Sequence, residues 1–210
     1  MQHSGRLITL EGGEGAGKST QARRLAEHLA QSGLPVLRTR EPGGTPAAER
    51  LRSLLLGQGV WDPVAEAMIM FAARREHVVG LIRPFLAAGG WVVCDRFADS
   101  TLVYQGAQGL PRRVWAQLAE AALEGLAPDL TLVLDLPPEA GMARAASRGG
   151  PDRYERMGLA FHAAIRQGFR DIAAAEPGRC AVVDASRAPD QVFADILAEV
   201  SARLGISPAA

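Results

Sequence analysis

Residues 12 to 19, Gly-Gly-Glu-Gly-Ala-Gly-Lys-Ser, fit the pattern G-x-x-x-x-G-K-[ST] and contain Lys18, the one lysine in a chain with 22 arginines. Such a loop suits phosphate. Gly12, Gly13, Gly15 and Gly17 let backbone N–H groups wrap an anion closely, with Glu14 and Ala16 between them. The helix expected after the loop would add the positive potential of its N-terminus, and Ser19, followed by Thr20, could set its hydroxyl on Mg²⁺. Lysine brings a compact point charge that can thread among phosphate oxygens, whereas the planar fork of arginine is bulkier and directional. A composition that writes every other cation as arginine makes its exception where a guanidinium would not serve.

Two further clusters carry charge suited to the same chemistry. Asp95-Arg96-Phe97 closes an apolar run, so Asp95 could orient Mg²⁺ or its water while Arg96 holds two phosphates. Between about 141 and 156, Arg144 and Arg148 stand one helical turn apart. A Gly-Gly-Pro break follows, then Arg153 and Arg156. This pattern reads as a mobile lid that brings guanidinium groups to a transferring phosphoryl group. Glu14 places an acid inside the glycine loop, so compensating positive charge has to come from elsewhere, and the lid arginines are the source. The bland alternatives are a glycine-rich turn, a structural ion pair at 95–96 and an ordinary surface loop.

Placing these groups requires a sheet. Strands are expected at 6–11, 35–40, 91–95, 130–136 and 180–185; the runs at 91–95 and 130–136 lack polar alternation, as expected for strands buried on both faces, and helical spacing recurs between the strands. Ala22, Leu25, Ala26 and Leu29 mark the helix after the glycine loop, which Gly33 ends. A second helix follows the breaker cluster 41–45, and a long helical region spans about 64–88 with a break near Gly80 and Pro84. Trp115, Leu118, Ala119, Ala122 and Leu123 mark another apolar face, and 192–200 the closing helix. Five strands separated by helices predict an α/β fold, a parallel sheet covered on both faces, in one domain over 1–210.

Composition sets bounds. The 210 residues are 48% hydrophobic and 22% charged with a net charge of zero, which offers no global attraction to nucleic acid or to a membrane. Cys94 and Cys180 match no metal spacing and read as reduced thiols of a cytoplasmic protein. A guanine-reading Asn-Lys-x-Asp motif cannot occur in a chain with no asparagine and one lysine. A large ATP-driven motor would need more chain. A small phosphoryl-transfer enzyme or a silent nucleotide-binding module remains.

The segments LEGGEGAGKST, TREPGGT, EAMIMFAARREHV, CDRFADSTLVYQG, PDLTLVLDLPPE and RGGPDRYER together resemble the bacterial thymidylate kinases, P-loop nucleoside monophosphate kinases, over roughly residues 6–200. The resemblance implies ATP-dependent phosphorylation of dTMP to dTDP with Mg²⁺, on a three-layer P-loop kinase fold of five parallel strands, and a homodimer. It implies that Phe71 stacks on thymine and Arg75, one turn later, hydrogen-bonds its carbonyl. Arg96 would grip the acceptor phosphate, Thr101 and Gln105 would line the base pocket, and Tyr104 would pack under the deoxyribose. Glu11, Glu41, Pro42 and Arg52 match acceptor-side positions. Arg144 and the loop 186–189 are the candidates for the adenine side. Another nucleoside monophosphate kinase with a different base preference is the nearest rival. No imidazole is required, because a phosphate oxyanion is already nucleophilic at neutral pH.

Overall fold

The computed structural model describes residues 5–57, 59–146, 153–154 and 156–205. The strands are β1 (Arg6–Glu11), β2 (Val36–Arg40), β3 (Trp91–Asp95), β4 (Leu130–Asp135) and β5 (Cys180–Asp184). The helices are α1 (Lys18–Gln31), α2 (Pro46–Leu56), α3 (Pro63–His77), α4 (Arg83–Ala87), α5 (Ala98–Gly106), α6 (Arg112–Leu123), α7 (Pro138–Ala146), α8 (Leu159–Ala175) and α9 (Pro189–Leu204). All strand pairs are parallel, in the order β2-β3-β1-β4-β5. The chain leaves the central strand β1 for one side of the sheet and later fills the other, so β1 sits at the switch point where open α/β sheets bind ligands.

Alternate strand residues feed opposite layers, which is why the runs of β3 and β4 show no polar alternation. Ile8, Val93 and Leu132 face Leu25, Leu29, Val192 and Ile196 of α1 and α9. Their neighbours Leu7 and Val92 face Phe71, Ile82 and Leu123, and Val133 packs with Ile165 and Phe169 of α8. Fully burying one such side chain stabilises the fold by about 1.5–3 kcal/mol.

Caps fix the helix starts. Thr45 Oγ1 accepts from Ala48 N at the start of α2, and Asp62 Oδ1 accepts from Val64 N and Ala65 N at the start of α3. The break expected near Gly80 and Pro84 is a π-helical turn, Val78–Ile82, that joins α3 to α4 without interrupting the helical path. Pro84 has no N–H to give the preceding turn, and a wide turn accommodates that loss.

Candidate functional site

The glycine loop connects β1 to α1, and its conformation follows from its composition. Gly15 (φ 71°) and Gly17 (φ 89°) lie in the left-handed region, and a side chain on Gly15 would strike the carbonyl of Gly141. Gly17 caps α1 without any side-chain hydrogen bond, and the first turn of α1 carries no acid. Its N–H groups are thus left to an external anion. Lys18 is 7% exposed, and its Nζ donates to Gly13 O at 2.7 Å and Gly12 O at 3.1 Å. An ammonium has three protons, so one is left for a ligand. Burial lowers its pKa to about 8 despite Glu14 and Asp95 nearby, and Arg96 adds to that lowering.

Parallel pairing of β1 with β3 sets Leu10 beside Asp95, which brings the two strand ends together. Ser19 Oγ donates to Asp95 Oδ2 at 2.5 Å. Arg96 turns into the left-handed region (φ 68°), a conformation costing about 1 kcal/mol, while its N–H bonds Leu10 O. Its Nη1 donates to Gly12 O and Ser100 Oγ, and its Nη2 to Tyr104 Oη and Glu14 Oε1. Tyr104 Oη also donates to Glu14 Oε1 at 2.7 Å. Burial would raise the Glu14 carboxyl, but Arg96, Lys18 and the Tyr104 hydrogen bond outweigh it and hold it down to about 2.

Glu11 is fully buried and does not line the cavity. Its carboxyl accepts from Phe97 N, Ser100 N and Ser100 Oγ, thereby capping α5 from the end of β1 and positioning the turn that carries Arg96. Burial and then Asp99 push it up to about 7.

A cavity of about 280 Å³ runs from Lys18, Ser19, Asp95 and Arg96 to Glu41, Pro42, Arg52, Thr101, Tyr104 and Gln105. The structure does not bring Phe71 or Arg75 to it. Phe71 is core, edge-on to Trp115 at 6.4 Å between ring centroids. The Arg75 side chain is 39% exposed and pairs with Glu124 at 2.9 Å. Met70 and Arg74 line the cavity instead. Positions 67, 71, 74 and 78 form one buried stripe, and Arg75 lies about 100° further round the helix.

Arg74, with 3% of its side chain exposed, is held by an unusual shell. Its Nε donates to Glu41 Oε2 at 2.6 Å, and its Nη2 to Phe97 O and Thr101 Oγ1 at 3.1 Å each. Glu41 Oε1 accepts from His77 Nδ1, and His77 Nε2 meets Thr39 Oγ1 at 2.7 Å. Arg74 Nη1 is buried and has no partner among the described residues. A charged residue inside an apolar helical stripe must find a counter-ion, and this signal in the sequence could have singled out Arg74.

A second cavity, of about 340 Å³, lies on the far side of the loop between Gly15, Ala16, Thr20, Arg144, Arg187 and Pro189. Arg144 Nη1 donates to Ala185 O at 2.9 Å, which sets it beside the 186–189 loop. Of the lid, residues 141–146 belong to α7, while 147–152, including Arg148, and 155 lie outside the described residues. Arg153 is bound to Glu66 and to Tyr154 Oη and does not line the first cavity, so the phosphate role expected for it is not realised in this geometry. Tyr154, given no role in the sequence reading, does line that cavity. Cys94 and Cys180 are buried free thiols.

Residues 10–196 match the thymidylate kinase family model. The chain is 53% identical over 205 residues to the thymidylate kinase of Caulobacter vibrioides, covering 96% of this chain and 99% of the relative. It is 48% identical over 204 residues to that of Dinoroseobacter shibae, with coverage of 96% and 99%. A crystal structure of thymidylate kinase from Ehrlichia chaffeensis superposes with a TM-score of 0.77 at 34% identity, over 93% of this chain and 98% of that one. The glycine nest, the parallel sheet that presents it and these similarities agree: the chain belongs to the thymidylate kinase family.

Proposed function

We propose that this chain transfers the γ-phosphoryl group of ATP to the phosphate of dTMP, giving ADP and dTDP. The observation that carries the reading is one cavity lined both by Lys18, in a glycine nest at the start of α1, and by Arg74, whose buried Nη1 has no partner among the described residues. The first group suits a polyphosphate. The second suits a keto oxygen, because an unmet buried donor costs about 1–3 kcal/mol until an acceptor arrives.

In this reading Glu41 orients Arg74 toward the pyrimidine carbonyl, and Thr101 and Gln105 flank the base. Met70 supplies an apolar face, Tyr104 packs against the sugar, and Arg52 and Pro42 close the cavity near the acceptor. Arg96 leaves Glu14 for the acceptor phosphate, exchanging one anion for another at little electrostatic cost. Lys18 and the N–H groups of Gly13, Gly15, Gly17, Ser19 and Thr20 take the donor phosphates. Gly12 and Ala16 shape the loop, and Arg144 holds the 186–189 loop against the adenine. The phosphoryl group passes between two oxyanions, so the protein supplies positioning and charge stabilisation and no base.

Ser19 Oγ and Asp95 Oδ2 are hard oxygen donors within one coordination sphere of each other, and Mg²⁺ needs only one or two such ligands when phosphates and water complete its shell. The residues fit the ion. When bound it would neutralise charge on the donor phosphates.

The finer assignments rest on the same footing. Homodimer formation would use the face of α3 and the π-helical turn that exposes Met68 (53%) and Val79 (47%), and light scattering tests it. A cytoplasmic enzyme agrees with free buried thiols; no described helix is long and apolar enough to cross a membrane. One or more of the lid guanidiniums of Arg148, Arg153 and Arg156 would complete the cage on closure. ADP release in a coupled assay with ATP and Mg²⁺ should depend on added dTMP; release that ignores dTMP would mean ATP hydrolysis, none with any acceptor would leave a nucleotide-binding module, and either overturns the reading.

A further inference from the structure

Gln105 is held from behind by a chain of hydrogen bonds that has a direction. Glu66, in the first turn of α3, is fully buried, and its Oε1 accepts from Tyr154 Oη at 2.8 Å and from Arg153 Nη2. Tyr154 Oη in turn meets Arg153 Nη2 at 3.1 Å and Gln105 Nε2 at 3.0 Å. A phenol has one proton and two lone pairs, a guanidinium cannot accept, and a carboxylate paired with it cannot donate. The tyrosine proton therefore goes to Glu66, and the two lone pairs are taken by Arg153 and Gln105. Burial and the charge of Glu66 push the phenol pKa up, so this proton stays in place.

The consequence falls on an amide. Gln105 has to offer its NH₂ to Tyr154, since the flipped amide would set oxygen against an oxygen with no proton to give. Its Oε1 takes no hydrogen bond from any described residue, and Gln105 lines the acceptor cavity together with Arg74.

We infer that Glu66 and Tyr154 are positioning residues that fix the Gln105 amide with its carbonyl oxygen toward the cavity, so that the acceptor base must present an N–H there. Beside it, Arg74 Nη1 calls for a keto oxygen. A 4-keto pyrimidine carries that acceptor and donor side by side, at O4 and N3, whereas cytosine inverts both. The inference rests on the acceptor reading above and adds what sets its base preference from the cavity wall at Tyr154 and from Glu66 behind it.

The test uses Tyr154→Phe and Glu66→Leu, which removes the acceptor of the tyrosine proton, in the full chain, with dissociation constants for dTMP and dCMP from calorimetry and kcat on dTMP. Tyr154→Phe keeps the ring that stacks on Phe161, so packing survives. The preference for dTMP over dCMP should fall about fivefold or more in each variant, with kcat on dTMP within about threefold of wild type. A merely structural role would weaken both nucleotides alike and leave the ratio unchanged. An unchanged ratio in either folded variant overturns the relay. Wild-type protein that does not phosphorylate dTMP overturns the acceptor reading instead, and the two failures are separate.

Discussion

Arg96 Nη2 donates to Glu14 Oε1 at 2.6 Å, so the turn after β3 is fastened to the glycine loop after β1 by a largely buried ion pair. The acid in the loop thus holds Arg96 in place, and in the proposed reading an anionic acceptor replaces it. Tyr104, bonded to both, keeps the pair aligned.

This pair and Glu11 act on stability in opposite pH windows. Glu14, held down to about 2, contributes about 3 kcal/mol above its unfolded pKa of 4.5, lost as pH falls from there toward 2. Glu11, raised to about 7, keeps its proton when folded, so stability falls by a similar order as pH rises from 4.5 to 7. Urea unfolding across pH should show Glu14→Gln flattening the acid limb and Glu11→Gln flattening the limb from 4.5 to 7. Parallel profiles for wild type and both variants would refute the assignment.

Lys18→Ala should lower kcat by at least about 10²-fold, and Lys18→Arg should not restore it, because the nest takes a point charge rather than a fork. Steady-state turnover above a tenth of wild type in either variant would remove Lys18 from the chemistry.

Arg74 and Arg75 separate cleanly. Arg74→Ala strands Glu41 in the interior and should destabilise the fold by about 3–5 kcal/mol. Arg74→Lys keeps the charge but loses the fork, and KM for dTMP should rise about tenfold or more. Arg75→Ala removes a surface pair and should change stability by under about 1 kcal/mol and leave KM unaltered. A KM that responds to Arg75 and not to Arg74 would restore the expectation drawn from the sequence.

That expectation shows where the sequence stops. The strands lie within a residue of the expected segments; β3 and β4, buried on both faces, leave unbroken hydrophobic runs, while the edge strand β2 carries Arg38, Thr39 and Arg40. The glycine nest was legible because its chemistry is local: loop, lysine and hydroxyl are contiguous. The cavity that Arg74 lines is not local. Arg74 is defined by Glu41, Thr101 and Phe97, brought together by β2, β3 and α5, and spacing from Phe71 alone selects Arg75 as readily. Glu66 and Tyr154 are 88 positions apart, and nothing in either neighbourhood announces their hydrogen bond.

Metal dependence should centre on Asp95. Chelation of Mg²⁺ should abolish turnover, and Asp95→Asn should raise the Mg²⁺ concentration for half-maximal rate about tenfold or more, because a neutral amide holds the ion less well. An unchanged Mg²⁺ requirement would place the ion elsewhere.

The most direct measurement is the initial rate with ATP and Mg²⁺ across dTMP, dUMP, UMP and CMP as acceptors. The account requires dTMP to be the best acceptor, with CMP the poorer of the two base classes and ribose disfavoured. Faster phosphorylation of CMP or UMP than of dTMP would contradict it.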